Sequence, residues 1–202
     1  MKNPVCFSLF FQRALPLFFL LLAPSLAQAH PGVTGHTHGF ENGLLHPLTG
    51  LDHICAMVAV GLWAAQRGGR ALWLVPLTFV SVMIIGGILG MGGINVPYVE
   101  QGIAASVLVL GIFIAVAVRL PLTASIAIVG LFALFHGYAH GAEMPESVSG
   151  FAYGIGFVVA TASLHLCGIA LGIATQRFAS AQTVRYLGGG IAACGIYLCF
   201  AL

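Results

Sequence analysis

Long apolar runs, separated by short stretches of polar residues, glycine or proline, make up most of the chain. Six such runs follow the N-terminal segment, and each is close to the ~20 residues that a helix needs to cross a bilayer. They cover residues 44–66, 71–91, 100–118, 121–141, 148–175 and 183–202. The pattern therefore predicts an all-α membrane protein, with a six-helix transmembrane domain over residues 44–202.

Composition excludes an ordinary soluble domain. The chain is 59% hydrophobic and 6% charged, with a mean hydropathy of +1.04, whereas soluble domains carry about 25% charged residues. Lipid must therefore cover most of its surface. The net charge is only +2, and no basic run predicts a nucleic-acid partner.

The first 29 residues have the organisation of a secretory signal peptide. Lys2 and Arg13 supply the basic region, residues 15–22 the apolar region, and Ala27-Gln28-Ala29 the small-residue cleavage site. Cleavage leaves residues 30–43 as a histidine-containing segment on the periplasmic side. The alternative is that the first 29 residues are not removed and remain as an uncleaved first helix.

The arginines orient the predicted helices. With the N-terminus outside, the first, third and fifth connections face the cytoplasm, and every arginine after the signal peptide falls there: Arg67, Arg70, Arg119, Arg177 and Arg185. The glutamates fall on the outer side: Glu41, Glu100, Glu143 and Glu146. This distribution obeys the positive-inside rule.

Glycines and cysteines inside the runs favour packing roles. Three glycine pairs have the four-residue spacing that lets membrane helices approach closely: Gly86 and Gly90, Gly150 and Gly154, Gly168 and Gly172. An alternative is that some of them leave room for an ion or for helix movement. The cysteines Cys55, Cys167, Cys194 and Cys199 form no C-x-x-C pair, which predicts neither a disulfide framework nor a zinc ribbon.

A polar cluster opens the first run, with His46, Asp52, His53 and Met57. Ionisable groups are costly inside a membrane and usually bind something or line a path. Seven residues separate His46 from His53, so one straight helix would place them on nearly one face, about 10 Å apart along the axis. Asp52 would lie on a neighbouring face. Pro47 suits a first helical turn, which places His46 at the outer mouth.

A second cluster ends the fourth run, where His136, His140 and Glu143 lie on one helical stripe. The topology places both clusters in the outer half of the membrane. Imidazole nitrogen and carboxylate oxygen suit divalent transition metals, so the six side chains His46, Asp52, His53, His136, His140 and Glu143 are candidate metal ligands. The alternative is that these histidines cap helices or hydrogen-bond one another.

Five further residues admit two interpretations each. His165, well inside the fifth run, is either a deeper relay ligand or a core residue, and Met57 is either a soft donor or part of the core. His30, His36 and His38 are either a metal-capture arm or part of a polar terminus.

The two clusters resemble the signatures of the HupE/UreJ family of nickel and cobalt permeases. The matching residues are His46-Pro47-x-x-Gly50-x-Asp52-His53-x-x-x-Met57 and Phe135-His136-Gly137-Tyr138-Ala139-His140-Gly141-x-Glu143. The resemblance implies uptake of Ni²⁺ or Co²⁺ across a bacterial inner membrane for metalloenzymes such as hydrogenase or urease. It also implies that the six candidate ligands form the transport site.

Other classes of function remain as alternatives. The sequence lacks G-x-x-x-x-G-K-[ST] and H-E-x-x-H, the signatures of P-loop ATPases and zinc proteases. We therefore expect a secondary permease rather than an enzyme, with the metal and lipid as its partners and no resident cofactor. The alternatives are an intramembrane metalloenzyme or haem protein, in which His53 and His136 would be axial ligands, and an accessory subunit that binds metal without transporting it.

Overall fold

The computed structural model describes residues 39–144 and 148–202, and within them it is helical with no strand. The helices are α1 Gly39–Thr49, α2 Leu51–Arg67, α3 Ala71–Met91, α4 Val99–Ala115, α5 Leu122–Ala142, α6 Gly150–Phe178 and α7 Ala181–Ala201. The predicted signal peptide, the histidines His30, His36 and His38, and Glu146 lie outside the described residues. The predicted helical class is confirmed.

Four of these helices, α3, α5, α6 and α7, are long and apolar enough to cross a membrane. The pair α1–α2 counts as a fifth if it is one span, and α4 is apolar but shorter, at 17 residues. Helix α3 coincides with the predicted run 71–91, and helices α4 to α7 begin and end within a few residues of their runs. The chain is therefore a membrane protein of packed apolar helices.

The first predicted run, 44–66, is not one helix. The chain bends by 82° between α1 and α2, because Gly50 adopts an extended backbone with φ −88° and ψ 122°. The Thr49 hydroxyl donates to the carbonyl of His46 at 2.8 Å, which satisfies one carbonyl at the end of α1. Helix α1 begins at Gly39, inside the segment expected to be polar, so Pro47 lies in its interior rather than in a first turn.

Glycines bring the helices into backbone contact. A methyl group on Gly86 or Gly90 of α3 would overlap the backbone of α5, and one on Gly137 or Gly141 of α5 would overlap that of α3. Other glycines perform the same function between α1 and α6 (Gly43, Gly156), α2 and α6 (Gly61, Gly168) and α4 and α7 (Gly111, Gly188, Gly195). Such contacts replace the hydrophobic effect, which does not drive helix association in lipid.

Two of the three predicted glycine pairs lie at a close helix contact. Gly86 and Gly90 lie in a close helix contact, as do Gly168 and Gly172. The prediction for Gly150 and Gly154 is wrong within residues 39–144 and 148–202, where no atom lies within 4 Å of a methyl group built on Gly154. Spacing alone does not specify which face of a helix meets a neighbour.

Hydrogen bonds gather the last turns of α2, α4 and α6 at one end of the bundle. Gln66 Nε2 donates to the carbonyl of Ile114 at 3.1 Å, and Gln176 Nε2 donates to that of Ala65 at 3.2 Å. Arg185 Nε, in the first turns of α7, donates to the carbonyl of Ala115 at 2.7 Å. We call this the arginine end, since Arg67 and Arg177 lie beside these contacts in the chain. The start of α2 and the end of α5 lie at the opposite, histidine end.

Candidate metal site

Three side chains converge at the histidine end: His46 from α1, and His140 and Glu143 from α5 and its C-terminus. One ligand atom from each lies within 4.8 Å of the others, and His46 Nε2 is 3.6 Å from Glu143 Oε2. The His46 side chain is 40% exposed and that of Glu143 55%. We call this group the mouth cluster. Because metal–ligand bonds are about 2.0–2.2 Å, a small inward movement of these groups suffices to hold one divalent ion.

The break at Gly50 determines how the first-run histidines meet the second cluster. The ring of His140 contacts His46 at a centroid distance of 4.7 Å and His53 at 4.4 Å, both edge-on at 84°. The expectation that His46 and His53 occupy one stripe of a straight helix, about 10 Å apart, is therefore wrong. The bend directs both imidazoles onto one partner ring.

His140 joins the mouth cluster to the interior. Its Nε2 atom is 2.9 Å from Nδ1 of His53, a hydrogen bond in which one nitrogen donates and the other accepts. At most one of these two imidazoles is therefore doubly protonated. His140 Nδ1 is buried and has no hydrogen-bond partner. A ring with one hydrogen-bonded and one free nitrogen can bind a metal ion through the free nitrogen while the other nitrogen contacts His53.

Three further histidines lie deep in the protein: His53, His136 and His165, each at most 2% exposed. We call them the buried imidazoles. The rings of His53 and His136 are 5.0 Å apart. Among the described residues, no hydrogen-bond partner is found for His53 Nε2, for His136 Nε2, or for either Nδ1 or Nε2 of His165. A buried polar atom without a partner costs about 1–3 kcal/mol, a cost that binding a ligand would remove.

Asp52 is not part of the mouth cluster. It lies in the first turn of α2 and is only half-buried, with Oδ1 2.6 Å from the point that a methyl group on Gly50 would occupy. A carboxylate in this position interacts favourably with the helix N-terminus. Of the six predicted ligands, the structure thus joins five through imidazole contacts and the mouth cluster, and it places Asp52 beside the bend.

Met57 and Cys55 lie in the apolar interior. Met57 is fully buried and belongs to the hydrophobic core with Val60 and Trp63. Cys55 is half-buried, and its sulfur is 3.6 Å from that of Cys194 on α7, so the pair joins two helices although neither residue belongs to a C-x-x-C pair.

Aromatic side chains that the sequence did not single out surround the imidazoles. Phe157 of α6 contacts His53 at 5.1 Å and His140 at 4.5 Å, between ring centroids. Tyr153, one turn earlier, lies 6.2 Å from His46, and Phe79 of α3 contacts both His136 and His165. Tyr153 and Phe157 are four residues apart on α6, a spacing that is equally typical of a lipid-facing stripe, so no feature of the sequence separates these two roles.

Comparison with known proteins yields one family and one curated relative. The family described as HupE / UreJ protein matches residues 18–198. The chain is 47% identical over 180 residues to Protein HupE of Rhizobium leguminosarum bv. viciae, an alignment that covers 88% of this chain and 92% of the relative. No solved structure matches the chain.

Proposed function

The chain belongs to the HupE/UreJ family, and from that premise we propose that it is a secondary permease that takes up Ni²⁺ or Co²⁺ for metalloenzymes such as hydrogenase or urease. The metal is its cargo, and no catalytic step is required of the protein. The observation that carries the proposal is the mouth cluster, in which His46, His140 and Glu143 converge. Two imidazoles and one carboxylate form a donor set suited to these ions.

The path into the protein supports transport rather than static binding. His140 contacts the half-exposed His46 on one side and the buried His53 on the other. His53 in turn contacts His136. A structural metal site is usually closed by its ligands, whereas here the nitrogen donors continue inward from the cluster.

The orientation follows from the two ends of the bundle. We assign the arginine end to the cytoplasm by the positive-inside rule, which places the mouth cluster at the outer, periplasmic face of a bacterial inner membrane. In this arrangement α1–α2 together form one broken span and the short helix α4 forms another, giving six spans after a cleaved signal peptide. Broken helices at membrane depth are tolerated where they are buried in protein or line a cavity.

The membrane potential is sufficient to drive uptake. One charge crossing a potential of 100 mV gains about 2.3 kcal/mol, so a divalent ion gains roughly 4–5 kcal/mol. That energy supports about a thousandfold accumulation. No nucleotide hydrolysis by this chain is needed.

The haem alternative fits the geometry poorly. His53 and His136 were its candidate axial ligands, but their rings are already in edge contact at a centroid distance of 5.0 Å. A porphyrin between them would require the two helices to separate. An absorption spectrum of the purified protein without a Soret band would exclude this alternative directly.

The test is uptake of radioactive nickel or cobalt into sealed liposomes that contain only this protein, with an imposed potential, negative inside. We expect metal to enter with the wild-type chain and not with the double variant His46→Ala/His140→Ala. A matched control is Tyr138→Phe, which lies two residues from His140 and loses only a hydroxyl contact to the Val96 backbone. Binding without entry would identify an accessory metal-binding protein instead.

A further inference from the structure

His165 is the most isolated polar side chain in the described interior. It is 2% exposed and lies on α6, and neither ring nitrogen has a hydrogen-bond partner within the part of the chain that the structure describes. Its ring instead meets the ring of Phe79, edge-on, at a centroid distance of 5.2 Å. A histidine kept only for packing would be expected to use at least one nitrogen, because buried polar side chains are generally hydrogen-bonded.

His136, which contacts the same Phe79 ring as His165 does, has the hydrogen bonding that is typical of a metal-bound histidine. Its Nδ1 lies 3.0 Å from the carbonyl oxygen of Phe132. A carbonyl only accepts, so Nδ1 carries the proton, and in the neutral ring Nε2 therefore keeps its lone pair. Nε2 has no hydrogen-bond partner. Metal-bound histidines usually donate their other N–H to a carbonyl or carboxylate in this manner.

Phe79 contacts both of these histidines. Its ring contacts His136 at 5.6 Å and His165 at 5.2 Å between centroids. His165 also lies eight residues beyond Phe157 on α6, about 12 Å further along the axis, and Phe157 marks the level of His53 and His140. His165 is thus the deepest imidazole, on the side towards the arginine end.

We infer that His165 is a second, inner station for the transported divalent ion, which receives the ion from His136. The inference rests on the proposed transport function and concerns the inward half of the path. The Phe79 ring that contacts both imidazoles marks the place where the ion passes from one to the other.

The station differs from the mouth cluster in charge. Helices α3, α5 and α6 contain no aspartate or glutamate. The only carboxylate of α2, Asp52, lies in its first turn, nine residues before Gly61, which meets the backbone of His165. An ion at His165 therefore meets imidazole nitrogen without an adjacent carboxylate such as Glu143 supplies at the mouth cluster. Its binding there is weaker because burying an uncompensated charge is costly. A weak inner station favours release, and the membrane potential draws the ion onward.

A spectroscopic experiment tests whether the ion reaches this position. In the full-length chain with all native cysteines replaced, His165→Cys is loaded with Co²⁺, and a thiolate-to-cobalt charge-transfer band is sought in the near ultraviolet. The matched control is Leu166→Cys, the next residue, whose side chain is 56% exposed on the outer surface. We expect the band with the first variant and none with the second. Absence of the band from both variants would overturn the inference.

A flux experiment tests whether the position is used. His165→Leu should lower cobalt flux into liposomes at least about tenfold, since loss of even an outer-shell partner of a metal ligand costs that much, while Co²⁺ binding at the mouth cluster stays unchanged. His165→Gln serves in its place if the leucine variant does not elute as a folded protein. Normal flux through either variant would overturn the inference. No flux through the wild type, with the cobalt band present, would instead contradict transport and leave an inner binding site.

Discussion

The mouth cluster and the buried imidazoles use the same side chain in opposite environments. The mouth cluster combines two imidazoles with the Glu143 carboxylate, and its outer members are 40% and 55% exposed. The buried imidazoles offer nitrogen donors only, are at most 2% exposed, and include four nitrogens without a hydrogen-bond partner among the described residues. The first environment suits capture of an ion from water. The second suits brief occupancy, because its donor set contains no carboxylate to balance the charge of a cation.

The largest effect is expected at His140, which belongs to one region and contacts the other. His140→Ala removes a mouth ligand and the hydrogen-bonded contact with His53 at 2.9 Å. We expect cobalt flux to fall roughly 100-fold, at the upper end of the range for losses at metal sites, and Co²⁺ binding to weaken with it. Isothermal titration and liposome flux measure the two quantities. If His140→Ala retained flux near the wild-type rate, the two regions would not be connected through this ring.

A substitution at Glu143 should affect the mouth cluster alone, and it therefore distinguishes the two regions better than a substitution at His140. Glu143→Gln keeps the shape of the side chain and removes the only carboxylate of the mouth cluster. We expect the metal concentration for half-maximal flux to rise about tenfold with little change in the maximal rate. Glu143→Asp keeps the charge on a shorter side chain, so its half-saturating metal concentration should lie between those of the wild type and Glu143→Gln. A fall in maximal rate with unchanged half-saturation would contradict a capture role.

Acidification should lower metal uptake through its effect on the mouth cluster. Histidine must be neutral to bind a metal, and imidazole in water titrates near pH 6.5. Lowering the external pH from about 7.5 to 5.5 should therefore weaken apparent affinity several-fold, and high external metal should restore the rate because metal and protons compete. Initial rates over a matrix of pH and metal concentration test this. A pH profile that stays flat at low metal would mean that protons do not compete at the mouth.

The smallest effect is expected at the cysteine pair. Cys55 and Cys194 contact each other at 3.6 Å between sulfurs, and we expect them to serve packing between α2 and α7. The double variant Cys55→Ala/Cys194→Ala should change flux by less than about twofold, although it costs some stability through lost packing. Flux and thermal unfolding of the same preparation distinguish these effects. A large loss of flux at full stability would add the thiols to the ion path.

The sequence predicted the helices well where apolar runs end at glycine, proline or charge, as at both ends of α3. It failed at Gly50. Pro47 and Gly50 are both visible in the sequence, but the bend also depends on how α1 packs against α6, where Gly43 meets the backbone of Tyr153 and Gly156 meets that of Phe40. Such contacts join residues more than a hundred positions apart and leave no local pattern.

The same limit applies to the site. Helical spacing predicted that His136, His140 and Glu143 share one stripe, and matching depth predicted that His46 lies near them. In the structure His140 and Glu143 meet His46 in the mouth cluster, and His136 contacts His53. The position of Asp52 beside the bend followed from the break and not from periodicity. The contact of Phe79 with His136 and His165 joins three helices, so nothing in the sequence alone distinguished Phe79 from any other core phenylalanine.

The central claim is that the mouth cluster captures the ion and the buried imidazoles pass it inward. The most direct measurement compares Glu143→Gln with His136→Leu in the same liposomes, with cobalt flux recorded over a range of external concentrations. The account predicts that Glu143→Gln raises the half-saturating concentration with its maximal rate preserved, and that His136→Leu lowers the maximal rate with its half-saturating concentration preserved. If both variants changed the same parameter in the same proportion, the two regions would form one site and the division between capture and passage would be wrong.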